Sequence, residues 1–296
     1  MSARSDVSSN CRHRAARSGF SLVELLVLVV ILVVLVSILV PALMRSRETD
    51  RRVRCTDNLR AIQQGLELYT KANGNNLPRV VYEPSRAATG YVAYTGAESA
   101  DPFTRGSNVR ANDVTASLWL LVRGGLVPVG RFVCPGTDAR SDPAASPTGR
   151  SNFSGPSHLS YSYTSLFSAA PGFRFTTDLL KADFAVLADK NPGKGGGDDV
   201  AGPAYDASPF QLARANSNNH DQAGQNVLYA DGHVQFQPTP YCGVGEGAVR
   251  DNIYTAASTT PVPDGTPPPV AANGFLARDI GPAWAGDSFL VPTDDE

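Results

Sequence analysis

Hydrophobic and polar positions change their pattern three times along this chain. From Phe20 to Met44 the run FSLVELLVLVVILVVLVSILVPALM is apolar, with one ionisable residue, Glu24. As a helix it is long enough to cross a hydrocarbon core of about 30 Å, so the pattern predicts a transmembrane helix over 20–44. Beyond Pro41, apolar residues recur at Val53, Leu59, Ile62, Leu66 and Tyr69 before Asn73-Gly74-Asn75-Asn76 and Pro78 stop the helix. Segment 45–74 therefore reads as an amphipathic continuation, half polar, suited to lying along a sheet.

From Arg79 onward, short apolar runs are separated by Gly, Pro, Ser and Asn, which predicts a β-rich domain over 75–240. Expected strands are Val80–Tyr82, Tyr161–Tyr163 and Ala185–Ala188, with a short helix at Leu118–Val122. The polar, Gly/Pro-rich stretches Ser141–Pro156 and Asn191–Pro203 read as long surface loops. Between Asn226 and Phe236 an Asp231-Gly232 pair separates two strand-like runs, the pattern of a hairpin with a type I′ turn. Segment 241–296 is Pro/Gly-rich and expected to be extended, with little core-forming capacity. Phe275, Leu276, Ile280, Trp284, Phe289 and Leu290 are its exceptions, able to dock on the body.

The length, 296 residues, suits one medium domain plus an anchor and tails. Formal charge is -2, but residues 1–19 carry Arg4, Arg12, Arg14 and Arg17 against Asp6 alone, so a chain lacking them sits near -5. A net acidic body disfavours general nucleic-acid binding, which needs clustered Lys and Arg. Five arginines after the span, Arg45, Arg47, Arg51, Arg52 and Arg54, are offset by Glu48 and Asp50, so flanking charge alone does not orient it.

Glu24 is the anomaly of the apolar run, because a carboxylate there costs roughly 2.5–3.5 kcal/mol and calls for a partner. The stretch Arg17-Ser18-Gly19-Phe20-Ser21-Leu22-Val23-Glu24-Leu25 resembles the processing site of type IV prepilins and type II secretion pseudopilins. The resemblance implies cleavage by a prepilin peptidase between Gly19 and Phe20, removal of leader 1–19, and N-methylation of Phe20. Glu24 would then pair with the new terminal ammonium of a neighbouring subunit and set assembly register. Cys55-Thr56-Asp57-Asn58-Leu59-Arg60-Ala61-Ile62 through Asn76-Leu77-Pro78 also looks like the post-anchor region of a large pseudopilin-like family. His220, followed by Asp231-Gly232, resembles the H-x9-D-G motif near the carboxyl end of many prepilin-like proteins, with ten intervening residues here instead of nine.

What the family implies is an α+β, pilin-like fold: one long amino-terminal helix, its first half transmembrane, on a small antiparallel sheet with long loops. It implies a structural pseudopilus subunit in the inner membrane, single-pass, with its carboxyl-terminal domain extracytoplasmic. Partners would be prepilin peptidase, other pseudopilins, an inner-membrane assembly platform and membrane lipid. The rival reading is a membrane-anchored binding module, or a minor tip pilin for adhesion or DNA uptake.

Candidate chemistry in the body is sparse. His220, Asp221, Asp231 and His233, with Asp189, are the side chains a divalent cation would use, but no D-x-D-x-D-G spacing accompanies them and no metal is expected. Cys55, Cys134 and Cys242 show no C-x-x-C, and spacings this wide do not suggest zinc. The fourth cysteine, Cys11, lies in segment 1–19, and the other three leave two readings open: three small, reduced, buried thiols, or, in an oxidising setting, a Cys134–Cys242 disulfide. Gly193-Lys194-Gly195-Gly196-Gly197 lacks the Ser or Thr that follows the lysine of a phosphate loop and reads as a flexible loop. No H-E-x-x-H or G-x-S-x-G occurs. No catalytic residue, cofactor or small-molecule substrate is therefore assigned.

Overall fold

The computed structural model describes residues 21–87, 91–104, 106–143, 146–170, 172–195, 198–199, 202–246, 249–256, 281–282 and 284–295. The fold is α+β with a pilin-like layout: a long amino-terminal apolar helix and a small antiparallel sheet. The chain divides into two compact units, Met1–Arg47 and Glu48–Glu296.

Helix α1 is assigned over Leu22–Ala72, 51 residues, and continues across Pro41. Its amino-terminal part belongs to the first unit, where every residue from Ser21 to Arg47 is exposed. A helix with no polar face and no protein cover is long and apolar enough to cross a membrane.

In the second unit the remainder of α1 buries one stripe, Cys55, Asn58, Leu59, Ile62, Gly65, Leu66 and Thr70, at the three- and four-residue spacing of a helix face. Val53, expected on that face, is exposed, and Cys55 takes the position instead. Gly65 is required by packing: a Cβ there would lie 2.2 Å from Val127 Cγ2.

Two short helices follow, α2 (Pro84–Ala87) and α3 (Val114–Arg123). Asp113 starts α3 by accepting from Ala116 N at 2.8 Å, the preferred N-cap chemistry. Trp119 of α3 meets Phe153 edge-on at 4.8 Å, and Phe153 meets Phe132 at 5.3 Å, which makes an aromatic centre for this half of the core.

The main sheet contains β1 (Tyr161–Thr164), β2 (Ala185–Asp189), β5 (Gln225–Tyr229), β6 (Val234–Gln237) and β9 (Leu290–Val291) in the order β6-β5-β2-β1-β9, with every pair antiparallel. Strands β1, β2 and β5 are buried on both faces: Ala185–Asp189 of β2 is mostly apolar, whereas Ser162 and Thr164, which alternate with the tyrosines of β1, are buried as well. Two-stranded ribbons are formed by β3 (Lys194–Gly195) with β4 (Asp198–Asp199), and by β7 (Tyr241–Glu246) with β8 (Val249–Asn252). Helix α4 (Pro209–Arg214) opens with a capping box between Ser208 and Gln211.

Several expectations are corrected. Val80–Tyr82 is not a strand, because its backbone partners are irregular: Val80 N donates to Ser117 Oγ at 3.2 Å and Val81 O accepts from Asn112 N at 3.0 Å. Neither long polar stretch is all surface. Phe153 and Asn191 are fully buried, and Asn191 Nδ2 donates to the carbonyls of Tyr254 and Leu290. Lys194–Gly195 is strand, not simply flexible loop. Tyr241–Glu246 and Val249–Asn252 build a ribbon, Cys242, Val244, Ile253 and Tyr254 are buried, and Phe289 and Leu290 dock into the core with β9 as a sheet edge. Composition concealed the ribbon because Gly243 and Gly245 lie within β7 itself, alternating with the buried Cys242 and Val244 that carry its packing. Phe275, Leu276 and Ile280 lie outside the described residues.

Candidate functional site

A buried polar cluster forms around His220. A single turn of 3₁₀ helix, Asn218–His220, is opened by Ser217 and ended by Asp221 in the left-handed conformation, φ 53°. Asn219 Nδ2 ties this turn to the sheet by donating to Ser160 O at 2.8 Å and Asp189 Oδ1 at 3.1 Å. The ring of His220 is thereby held fully buried. Its Nδ1 lies 3.0 Å from Glu48 Oε1, and its Nε2 lies 3.3 Å from Asp189 Oδ2 and 3.1 Å from Asn226 Nδ2. The ring edge faces Phe236 at 6.1 Å.

Two protonation states fit this geometry. The neutral ring donates Nδ1–H to Glu48 and accepts at Nε2 from Asn226; a second proton makes Nε2 a donor to Asp189. Burial alone would push the imidazole pKa down, but the Asp189 and Glu48 carboxylates outweigh it and hold it above its ordinary value. Asp189 does not depend on the ring alone, since Oδ2 also accepts from Asn226 N at 2.6 Å and Asn226 Nδ2 at 3.0 Å. Glu48 is also shared, with Arg52 Nε at 2.9 Å from the same oxygen. The cluster joins α1, β2, β5 and the 3₁₀ turn through charge-assisted hydrogen bonds.

Asp231-Gly232, the other half of the expected motif, stands at the far end of β5, roughly 15 Å along the strand from Asn226. His220 and Asp231 therefore do not meet. Asp231 Oδ1 accepts from His233 N at 3.1 Å and pairs with His233 Nδ1 at 2.5 Å. Slight burial raises the Asp231 pKa, but these His233 contacts outweigh it and leave the carboxyl below its usual range. The turn is not type I′. Tyr229 N donates to His233 O, Gly232 N donates to Tyr229 O, and Gly232 has positive φ, 90°, whereas Asp231 does not. This is a three-residue loop closed by a left-handed glycine. Of the five side chains considered for a cation, the fold brings His220 and Asp189 together and leaves Asp221 and the Asp231–His233 pair outside the cluster.

The cysteine pairing is neither of the two arrangements read from the sequence. Cys55 of α1 is bonded to Cys134, with S–S 2.01 Å across 79 residues of sequence, and Cys242 is free and buried. Burial pushes the Cys242 thiol up to about 12, so it is a protonated core group. Cys134 is unavailable to Cys242 because α1 delivers Cys55 to it through the helix face described above. Cys134 Sγ lies 3.8 Å from His220 Nε2, which places the disulfide in the same cluster.

At the amino terminus, Gly19 and Phe20 lie outside the described residues. Glu24 accepts from Ser21 N at 2.9 Å and so closes the first turn of α1. That is a capping role within one chain.

No protein-family model, curated protein or solved structure matches this chain. The residues that sequence reasoning missed are Glu48, set aside as one charge among many, and Asn226, taken only as the start of a strand. The available signal was that His220 lies shortly before the strand-like run that starts at Gln225, where a ring drawn into the core must find polar partners.

Proposed function

We propose that the chain is a pseudopilin-like structural subunit, processed by a prepilin peptidase between Gly19 and Phe20 and assembled laterally through its apolar helix. The observation that carries this reading is one ordered constellation. A basic leader precedes Gly19-Phe20, Glu24 follows four residues later, and an uncovered apolar helix begins at that point. A carboxylate in such a helix is stabilised when a neighbour's terminal ammonium approaches it, and cutting at Phe20 creates that ammonium. The small antiparallel sheet suits a body that stays outside the membrane while the helices bundle. On this reading the membrane is the inner one, the leader faces the cytoplasm, and the partners are the peptidase, other pseudopilins, an assembly platform and lipid. The role is structural, not enzymatic, and needs no cofactor.

The experiment is intact-mass and amino-terminal peptide analysis of protein from its native membrane, beside a Gly19→Leu variant. A mature chain beginning at N-methyl-Phe20, lost in the variant, is the expected result; a chain starting near Met1 in both overturns the reading.

A second reading rests on a polar cleft of about 340 Å³ lined by Asp183, His233, Gln235, Gln237, Tyr241 and Arg250. Amides, hydroxyls and one ion pair around an aromatic wall suit a polar ligand, as in a membrane-anchored binding module. Glu24→Ala separates the two: an assembling subunit is processed but incorporates poorly, whereas a monomeric receptor is indifferent.

A further inference from the structure

The His220 cluster contains the ligand set of a metal site. Cys55 Sγ, Cys134 Sγ, an Asp189 carboxylate oxygen and a His220 ring nitrogen all lie within 4.8 Å of one another, and all four residues are buried. We propose that, once the Cys55–Cys134 bond is reduced, these four side chains form a closed site for zinc(II). The same two sulfurs thus have two covalent fates: bonded to each other, or together on an ion.

Geometry beyond proximity supports this. His220 gives Nδ1 to the Glu48 carboxylate at 3.0 Å, which leaves Nε2 as the acceptor atom, facing Asn226 Nδ2 at 3.1 Å, Asp189 Oδ2 at 3.3 Å and Cys134 Sγ at 3.8 Å; an ion bound there takes the lone pair that Asn226 now holds. A carboxylate behind a histidine in this way is the usual outer support of a zinc ligand, fixing both tautomer and ring orientation. Asp189 is also held in place, by Asn226 N at Oδ2 and Asn219 Nδ2 at Oδ1, while Asn226 Nδ2 bridges Oδ2 and the His220 ring. Two thiolates, an imidazole and a carboxylate are a soft-to-borderline set that suits tetrahedral zinc better than calcium or magnesium. Full burial of four protein ligands is the pattern of a structural site, without an open position for substrate.

Charge agrees. Two thiolates and Asp189 would place three negative charges in a buried volume, and a divalent ion offsets most of that. Glu48 is already matched by Arg52 at 2.9 Å. A disulfide has no such charge, and its sulfurs are poor ligands, so oxidation and metal binding exclude each other. Reduction by a trialkylphosphine breaks the S–S bond: phosphorus is oxidised, taking its oxygen from water, and each sulfur receives a proton. Zinc then displaces both thiol protons into solution.

The sequence hides the site because its ligands come from α1, the segment before β1, the end of β2 and the 3₁₀ turn, far from any C-x-x-C spacing. The test uses the full-length chain in detergent micelles, phosphine-reduced, freed of phosphine under argon and titrated with cobalt(II). One equivalent should bind with the intense visible bands of a four-coordinate ion and thiolate charge-transfer absorption, and zinc should displace it. The oxidised chain should show neither feature, and Cys242→Ala should bind as the parent does. Glu48→Gln should weaken zinc about 10-fold. His220→Ala, whose fold is checkable with the disulfide intact before reduction, should weaken it more. No stoichiometric cobalt, binding without thiolate charge transfer, or undiminished binding in Cys55→Ser/Cys134→Ser overturns the proposal. So does a reduced chain that loses its near-ultraviolet circular dichroism and fails to regain it with one equivalent of zinc.

Discussion

Replacing His220 with alanine removes a side chain that touches both Glu48 and Asp189, and the cost follows from what those carboxylates retain. Each bond between a charged imidazole and a carboxylate contributes about 1.5–3 kcal/mol. Asp189, fully buried, keeps three amide donors, and Glu48 keeps Arg52 and about a fifth of its side-chain exposure, at 21%. Neither acid is left as a bare buried charge, so the expected loss is at the lower end of the combined range, about 3 kcal/mol. For a body of this size that is a fall in Tm of about 6–12 °C.

The loss should also depend on pH. The folded His220 pKa is raised, so the stability from protonation is fully present below the ordinary imidazole value of 6.5 and disappears as pH rises through the higher folded value. Around the ring the charged or titratable groups are Glu48 and Arg52 from α1 and Asp189 from β2, while Cys134 is held in the disulfide. Thermal unfolding of the oxidised full-length chain in micelles, followed by near-ultraviolet circular dichroism from pH 5.5 to about 8.5, gives the difference between parent and variant directly. It should be largest at the acid end and shrink toward the basic end, leaving the neutral ring's bonds to Glu48 and Asn226. A difference below about 1 kcal/mol throughout, or one that grows with pH, would falsify the ion-pair account.

Three further outcomes are expected. Cys134→Ser should remove a covalent loop across 79 residues and lower stability by up to about 4–5 kcal/mol, measured by denaturant unfolding against the oxidised parent. Gly232→Ala should cost about 1–2 kcal/mol, because φ is +90° and the new Cβ would stand 2.8 Å from Gln63 Nε2; Asp231→Asn should cost much less. Asp113→Ala should cost about 3 kcal/mol, since its buried carboxylate accepts from Thr95 N, Thr95 Oγ1, Thr115 Oγ1, Ala116 N and Asn152 Nδ2, whereas Asp113→Asn should recover part of the loss in the same assay.

The parts of the fold that could be read in advance are those fixed by local pattern. The apolar run and its continuation predict a helix of about the length of α1, and Tyr161–Tyr163, Ala185–Ala188 and Leu118–Val122 lie in β1, β2 and α3. Where the reading fails, non-local partners decide. Val80–Tyr82 has strand-like residues, but its backbone bonds are taken by Ser117 and Asn112. Cys55 pairs with Cys134 because a helix face brings it there, which the spacing of the cysteines does not reveal. His220 was legible as a singular residue, yet its partners Glu48 and Asp189 are remote in sequence and ordinary in type. The hairpin was legible from Asp231-Gly232, whereas its turn class depends on one additional residue, Ala230, that composition does not count.

The Cys55–Cys134 bond also determines how the body carries mechanical load. Residues 56–133 form the span of a covalent ring that includes the carboxyl-terminal end of α1 and all of α3. Tension applied to α1 at Cys55 reaches the segment before β1 through one side-chain bridge, bypassing the whole intervening chain. A protease that cuts once inside the ring leaves two fragments still joined, and only a reductant separates them on a gel. Peeling the helix from the sheet under force therefore requires chemistry in addition to unfolding.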